Sequence, residues 1–476
     1  MKKLVFLLVC ALVVLTACSR EQSEYADDPG YTDDTAYEDM PVDDSPAYED
    51  AYMGEDDVQP EGDVQPEDEY TDEDEEYDLR RVTGYAQAEY GPEAWAGWTR
   101  EGFLEDIDYM MWVLEENFPF MGTIYRRFGV DMQEKADSLR EIVADESREI
   151  DARIFHEMLR AYFFAYGGSV GHLGVISPQG YHDRRDVLMS TSGSHPNLPA
   201  INSPASVAFY GEPMHRDDIE PAYQRRGYDS NFFLEIIEEG QIAYMRLVTM
   251  LTRDFVSDID RMTDIYEQIQ GYEHFIIDIR GNPGGQPLFD FLILGPNLED
   301  DLHIPMLGFY MGGEHNLRFL ESWNFDPTPV SEIDMGGIPD FYTGDLRFID
   351  YKIPIPWWVV EADPSWIDLP LHGFSGKIWL LMDDMIFSAA EAAALMSRET
   401  GFITLVGEQG GGAVGGVEAT WVSLPNSGII LSYDAILITD QYGRCINEFP
   451  TMPHHFNRPG MDALETTLLL IEEGVY

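Results

Sequence analysis

The stretch HFIIDIRGNPGG (residues 274–285) joins an apolar run to a turn that is rich in glycine. The run Phe275-Ile276-Ile277 predicts a buried β-strand. In the turn, Gly281, Gly284 and Gly285 carry no side chain, so their backbone N–H groups are accessible to a group that approaches closely. A tight turn without any further role is the alternative interpretation. In both interpretations the predicted strand ends at this turn.

Strands and helices alternate on both sides of this stretch. Before it, residues 240–250 alternate as a strand, and residues 254–271 form an amphipathic helical pattern that ends at Gly271. After it come KIWLLMDD, the alanine-rich helical segment FSAAEAAALMSRE, ITLVGE, two more strand patterns (ATWVSLP and GIILSYDAILI) and a final helix from about residue 461 to 472. Such alternation predicts an α/β fold in which helices cover a sheet.

Residues 96–174 show a helical pattern instead. Apolar residues recur every three to four positions in residues 101–119, about 131–142 and 151–168, and two glycines close the last segment. We therefore expect a small N-terminal helical bundle, followed by a linking segment over residues 175–231 that contains no clear PDZ module. Residues 232–476 form the predicted core, with an aromatic-rich insertion at residues 286–376.

The charge of the chain is strongly negative and unevenly distributed. The formal net charge is -59, and residues 19–78 contain about 26 acidic residues but only one basic residue, Arg20. Such acidity argues against nucleic acid and anionic lipid headgroups as partners. We expect residues 18–95 to be a disordered acidic tether, since this segment has too little apolar surface to offset the entropy of ordering.

The N-terminus resembles a bacterial lipoprotein signal. Lys2 and Lys3 precede an apolar run over residues 4–15, and the run leads into LTAC. This resemblance implies that residues 1–17 are removed and that Cys18 carries lipid, which would anchor the chain to the membrane on its extracytoplasmic side. The alternative is an ordinary signal peptide with an incidental cysteine. Cys445 would be the other cysteine of the mature chain, so no disulfide framework is expected.

Ser388 lies where the strand KIWLLMDD gives way to a helix. A serine at this position presents its hydroxyl at the positive end of the helix, and the N–H of Ala389 is directed the same way. An acyl-transfer nucleophile needs this combination of an exposed oxygen and an adjacent donor for the oxyanion. The alternative is that Ser388 is an ordinary helix N-cap.

Three stretches in this order, FIIDIRGNPGG, KIWLLMDDMIFSAAEAAALM and ITLVGEQGGG, resemble the tail-specific, or C-terminal processing, serine peptidases and the related tricorn-type core. The resemblance implies a ClpP/crotonase-like core that hydrolyses peptide bonds in peptide or protein substrates. It implies Ser388 as the nucleophile and an oxyanion hole built from Ala389 with Gly284 or Gly285. It implies no metal and no organic cofactor.

The general base differs between branches of this family. One branch uses a lysine in the loop after the Gly-Glu pair, where this chain has Ala413, and the chain has no lysine from Met382 to its last residue. The tricorn-like branch uses a histidine and a glutamate. GGSVGHLGV resembles its histidine motif and GRCINEFPTMP its late motif, which implies His172 as the base and Glu448 as the carboxylate that orients it.

The sequence departs from the family at several positions. Gly171 replaces the serine beside the histidine, with Ser169 two residues earlier, and Phe449 replaces the glycine after the glutamate. A catalytically silent protein of the same fold that binds a peptide or an apolar ligand is therefore the main alternative, and a structural surface lipoprotein is a third. His454 and His455 form a rival histidine pair. The loop GGGAVGG lacks the lysine of a phosphate-binding loop.

Overall fold

The computed structural model describes residues 95–475 except 164–165, 167–168, 191–194, 212–220, 252–253, 287–288, 305, 324–326, 333–345, 347, 351–358, 361–372, 416–417 and 441–442. The predictions for the signal peptide, for Cys18 and for nearly all of the acidic tether therefore lie outside the described residues, as does much of the predicted aromatic-rich insertion. Among the residues that are described, no helix is long and apolar enough to cross a membrane.

The described chain is a mixture of helices and strands, as the alternating pattern predicted. The helices are α1 (Arg100–Asn117), α2 (Met121–Phe128), α3 (Met132–Ala144), α4 (Ala152–Phe163), α5 (Pro178–Ser190), α6 (Leu198–Ile201), α7 (Pro204–Tyr210), α8 (Ala222–Arg225), α9 (Phe255–Gln268), α10 (Glu314–Ser322), α11 (Ala389–Thr400) and α12 (Ala463–Glu472). The strands are β1 (Gly174–Val175), β2 (Phe232–Glu238), β3 (Ile242–Leu247), β4 (His274–Asp278), β5 (Leu302–His303), β6 (Leu307–Tyr310), β7 (Thr328–Pro329), β8 (Phe348–Asp350), β9 (Val359–Val360), β10 (Lys377–Met382), β11 (Ile403–Gly407), β12 (Thr420–Ser423), β13 (Ile430–Tyr433), β14 (Ile436–Thr439) and β15 (His455–Phe456).

A six-stranded sheet in the order β15-β11-β10-β4-β3-β2 forms the centre of the fold. Its strands run parallel except β2, which pairs antiparallel with β3 at one edge. All five residues of β4 are buried, which confirms the buried strand expected for residues 275–277. Side chains of α9 and α11 pack in one core cluster with alternate residues of the sheet, while Ala463 and Leu470 of α12 pack with Ile276 and Trp379 in another.

The parallel register brings two turns together. Leu381 near the end of β10 pairs with Asp278 at the end of β4, so the chain leaves both neighbouring strands at the same edge of the sheet. Ligand sites in sheets of parallel strands characteristically lie outside these carboxyl ends. The glycine-rich turn after β4 and the Ser388 turn after β10 therefore meet there.

The helices of residues 96–174 share their core with a sheet from the far end of the chain. Phe103 and Leu159 belong to the same cluster of buried side chains as Trp421 and Leu431, which lie in the antiparallel sheet β1-β13-β12. An amphipathic pattern shows that a helix buries one face but not which element covers that face. The three predicted helices are confirmed, and their core includes residues more than 250 positions later in the chain.

Candidate active site

Asp278 anchors the turn that follows β4. Its fully buried carboxylate pairs with Arg246 and Arg280, each at 2.7 Å, and accepts a hydrogen bond of 2.8 Å from the hydroxyl of Tyr244. Burial opposes ionisation of Asp278, but the hydrogen bond from Arg280 and the charges of both arginines outweigh it, so the pKa of the carboxyl lies below its usual value. Asp278 and Arg280 thus support the shape of the turn.

The turn after β4 lies directly against Ser388. A Cβ atom added to Gly284 would lie 2.5 Å from the carbonyl oxygen of Phe387 and 2.7 Å from the nitrogen of Ala389, so a side chain cannot be accommodated there. The N–H of Phe387 donates to the carbonyl oxygen of Asn282 at 3.2 Å, which fixes the two turns to each other. The absence of a side chain at Gly284 thus lets the Ser388 segment of the same chain pack against this turn.

Ser388 is held in a strained backbone conformation, with φ 56° and ψ -125°, immediately before α11. It occupies the N-cap position, but its side chain makes no capping hydrogen bond to the helix. The ordinary N-cap interpretation is therefore wrong for this hydroxyl. Non-glycine residues in sparsely populated backbone regions cost about 1–3 kcal/mol each and cluster at functional sites.

The N–H groups around Ser388 differ in their availability. Gly284 donates its N–H to the side-chain oxygen of Asn282 at 2.9 Å, so this group is already used within the turn. Within the described ranges, the N–H groups of Ala389 and Gly285 donate to no protein acceptor. Of the two glycines that the family resemblance implied, Gly285 is therefore the better candidate donor for an oxyanion.

His172 contacts a carboxylate that sequence reasoning missed. Its Nδ1 lies 2.8 Å from Oδ2 and 3.0 Å from Oδ1 of Asp434, and the side chain of Asp434 is only 2% exposed. Asp434 lies in the short connection between β13 and β14, and its N–H donates to the carbonyl oxygen of Gly171 at 2.6 Å. Backbone and side chain of Asp434 both hold the histidine segment in place.

Glu448, the carboxylate expected beside His172, is engaged elsewhere. Its two oxygens accept hydrogen bonds from Nε and Nη2 of Arg126 at 2.6 and 2.7 Å. Arg126 lies in the last turn of α2, a helix that the sequence did not predict, and it supplies a nearby positive charge for this carboxylate. In the structure, the carboxylate that contacts Nδ1 of His172 is that of Asp434, where the family resemblance implied Glu448.

The glycine-rich loop after β11 connects the Ser388 segment to the His172 segment. Ser388 donates its N–H to the carbonyl oxygen of Gly412 at 3.1 Å, and Ala413 donates its N–H to the carbonyl oxygen of Ser169 at 3.1 Å. Ala413, where one family branch has lysine, is fully buried. The hydrogen bonds among the described residues do not include one between Ser388 Oγ and the ring of His172.

Backbone strain is concentrated in this loop and the two segments it joins. Among the described residues, the non-glycine residues with positive φ are His172 at 45°, Ser388 at 56° and Ala413 at 57°. Each of them lies in the hydrogen-bond network that joins the Ser388 segment, the loop and the His172 segment. Since such strain persists only where surrounding contacts over-determine it, the network is rigidly held.

Glu391 is a second group that the sequence did not place in the site. Its fully buried carboxylate accepts hydrogen bonds from the N–H of Thr451 at 2.6 Å and of Gly412 at 3.3 Å. A Cβ at Gly410 would collide with the same carboxylate, so that glycine leaves the space it needs. Burial raises the pKa of Glu391 to about 7, and the hydrogen bond from Thr451 opposes this rise without cancelling it.

Glu391→Gln is expected to change how stability depends on pH. The folded-state pKa of about 7 exceeds the ordinary 4.5, so between these values the folded chain holds a proton that the unfolded chain has lost. The wild-type free energy of unfolding, relative to that of the variant, should therefore fall by about 3 kcal/mol as pH rises from 4.5 to 7. Urea unfolding of both proteins across this range measures the difference, and parallel curves would contradict the prediction.

The rival histidine pair is structural. His454 accepts a hydrogen bond at Nδ1 from the N–H of Leu405 at 2.9 Å, and His455 begins β15 at the edge of the central sheet. Burial lowers the pKa of His454 to about 4. In the described part of the chain, no cluster of three or more His, Cys, Asp or Glu side chains could hold a metal ion.

Comparisons with known proteins give matches only among solved structures. No family model matches the sequence, and no curated protein matches it. Structural neighbours include S41 family peptidases. The chain is similar to mature CPAF complexed with lactacystin (16% identity, 75% of this chain and 94% of that chain, TM-score 0.47), to a lipoprotein from Streptococcus agalactiae (12%, 78% and 96%, 0.41) and to the photosystem II D1 C-terminal processing protease (13%, 75% and 93%, 0.35).

At identities of 12–16% and TM-scores of 0.35–0.47, function is argued from the residues of the site itself.

Proposed function

We propose that this chain is a serine peptidase of the tail-specific kind, which hydrolyses peptide bonds in peptide or protein substrates. Ser388 is the nucleophile, His172 the general base and Asp434 the carboxylate that orients the imidazole. The single observation that carries the proposal is the His172–Asp434 pair, in which a buried carboxylate contacts Nδ1 at 2.8 Å and leaves Nε2 available for proton transfer. The strained Ser388 at the start of α11 supplies the hydroxyl.

The proposed reaction proceeds in two steps. Ser388 Oγ attacks the carbonyl carbon of the scissile bond and gives its proton to Nε2 of His172. The oxyanion accepts hydrogen bonds from the N–H groups of Ala389 and Gly285, and Asp434 stabilises the imidazolium. His172 then returns the proton to the departing amine. In the second step, water attacks the carbonyl carbon of the acyl group and gives a proton to Nε2 of His172. His172 then returns a proton to Ser388 Oγ as the acyl group leaves.

We also propose that the mature chain is anchored to the membrane through lipid on Cys18 and works on the extracytoplasmic side. The support is the signal-like sequence of residues 1–17. The acidic tether would then hold the peptidase away from the anionic membrane surface by charge repulsion. Intact-mass measurement of the mature N-terminus decides this point, because an unmodified Cys18 would rule out the anchor.

A serine-reactive fluorophosphonate tests the proposed function directly. Purified full-length chain is incubated with the probe, and the modified peptide is identified by mass spectrometry while cleavage of fluorescently labelled casein is followed in parallel. We expect modification at Ser388 and a loss of cleavage in proportion to it. Casein cleavage that survives complete modification of Ser388 would overturn the assignment. Peptide binding with neither modification nor cleavage would instead indicate the silent binding protein.

A further inference from the structure

A single buried amide joins the histidine segment to the glycine-rich loop. Asn447 is fully buried, and its side-chain oxygen accepts the N–H of Gly171 at 3.0 Å. Its side-chain nitrogen donates to the carbonyl oxygen of Val414 at 2.9 Å. The backbone of Asn447 is fixed in turn, because Nη1 of Arg127 donates to its carbonyl oxygen at 2.6 Å. Both functional atoms of the amide are therefore used, and both bonds end on backbone.

The bond to Gly171 bears on the conformation of His172. Gly171 and His172 are consecutive residues with positive φ, 57° and 45°. The carbonyl oxygen of Gly171 accepts from the N–H of Asp434, and its N–H donates to Asn447, so both polar groups of this glycine are held. Without an acceptor for this N–H, the peptide between Val170 and Gly171 can rotate, and the positive φ of Gly171 that leads into His172 is no longer fixed. The imidazole would then leave Asp434.

The bond to Val414 affects the loop that contacts Ser388. Val414 directly follows Ala413, which donates to Ser169, and Gly412, which accepts from Ser388. Asn447 thus holds the loop at Val414, two residues after Gly412, which contacts the proposed nucleophile. A side chain that can accept but not donate would satisfy Gly171 and leave the carbonyl oxygen of Val414 buried without a donor.

We propose that Asn447 is a positioning residue, which acts through Gly171 and Val414 to hold His172 in register with Ser388. The proposal rests on the proposed peptidase function for its catalytic consequence. The claim that the amide fixes two backbone segments does not depend on that function. An error of about 1 Å in the position of a catalytic group can cost about 100-fold in rate. A loss of this size is therefore expected in kcat.

The chain contains a matched control for this residue. Asn197 is also fully buried, accepts the N–H of Trp421 at 2.9 Å and donates to the carbonyl oxygen of Ala419 at 2.9 Å. Its amide makes the same two kinds of backbone bond as that of Asn447 and, among the described residues, forms no hydrogen bond with the proposed catalytic residues. Asn197→Ala should therefore match Asn447→Ala in lost hydrogen bonds and in loss of stability.

The experiment compares both alanine variants of the full chain with wild type. We expect Asn447→Ala to lower kcat and the rate of phosphonate labelling by about 100-fold with little change in KM. Asn197→Ala should retain both rates at a similar midpoint of thermal unfolding. Hydrogen exchange should rise at residues 169–173 and 412–415 in Asn447→Ala and at residues 419–421 in Asn197→Ala.

Asn447→Asp adds a pH dependence of the labelling rate that a general loss of stability would not produce. Its labelling rate relative to wild type should rise as pH falls, because a neutral carboxylic acid can donate to the carbonyl oxygen of Val414 again. Wild-type labelling rates in Asn447→Ala would overturn the proposal. If the wild type itself is not labelled, the proposed peptidase function is wrong. If hydrogen exchange at residues 169–173 is unchanged in Asn447→Ala, the positioning role is wrong as well.

Discussion

Ser388→Ala is expected to lower kcat for peptide hydrolysis by about a millionfold, the loss seen when the nucleophile of a serine peptidase is removed. The methyl group fits where the hydroxymethyl group lies, and the backbone strain at φ 56° is the same for alanine as for serine. Binding of substrate and the oxyanion donors remain, so KM should change little. Casein cleavage and phosphonate labelling measure the loss.

Two companion variants separate loss of chemistry from loss of fold. Ser138→Ala removes an exposed hydroxyl in α3 and should keep wild-type activity. Ser388→Gly should be as inactive as Ser388→Ala but about 1 kcal/mol more stable, because glycine adopts the positive φ of this position at lower cost. Residual cleavage by Ser388→Ala well above the expected level would mean that another residue attacks the substrate.

Asp434→Asn is expected to lower kcat by about 10⁴-fold, because an amide no longer fixes the tautomer of His172 or stabilises its cationic form. The side chain keeps its size, and the N–H of Asp434 can still donate to Gly171. Substrate binding should persist, so the loss should fall on kcat more than on KM. Steady-state cleavage of a fluorogenic peptide, read beside the thermal unfolding curve, gives both quantities.

Glu448→Gln is the matched comparison, since the sequence pointed to this carboxylate and the structure pairs it with Arg126 at 2.6 Å. A glutamine can still accept from Arg126, so the variant should lose far less activity than Asp434→Asn. A larger loss of activity in Glu448→Gln than in Asp434→Asn would mean that Glu448, and not Asp434, orients His172. Equal losses would mean that neither carboxylate acts on His172 alone.

Sequence patterns were sufficient wherever neighbouring residues decide the structure. The strand at residues 275–277, the bare turn after it and the junction at Ser388 are all local features, and the register of Leu381 with Asp278 brings the two turns together. Helices α1, α3 and α4 follow from their apolar spacing for the same reason. Helix α5 was missed, because prolines and glycines punctuate the segment in which it lies.

Asp434 could not be recognised from local pattern. It lies inside the apolar run GIILSYDAILI, which the pattern predicted as one strand and which the structure divides into β13 and β14 with Asp434 between them. Its proposed role depends on its contact with His172, which lies 262 positions earlier in the chain. Asn447 was missed for the same reason, since it bonds to backbone groups that only the folded chain brings near. The tyrosine before Asp434 and the alanine after it give no hint of this.

The order of these residues along the chain has a consequence for biosynthesis. His172 is made early, Ser388 much later, and Asp434 and Asn447 only within the last part of the sequence. Nascent chains are made from the N-terminus, and contacts between distant residues form late because long loops must close first. A growing or truncated chain would therefore carry the proposed base and the proposed nucleophile without the residues that align them. Any activity that depends on this alignment would therefore appear only after the last part of the chain has folded.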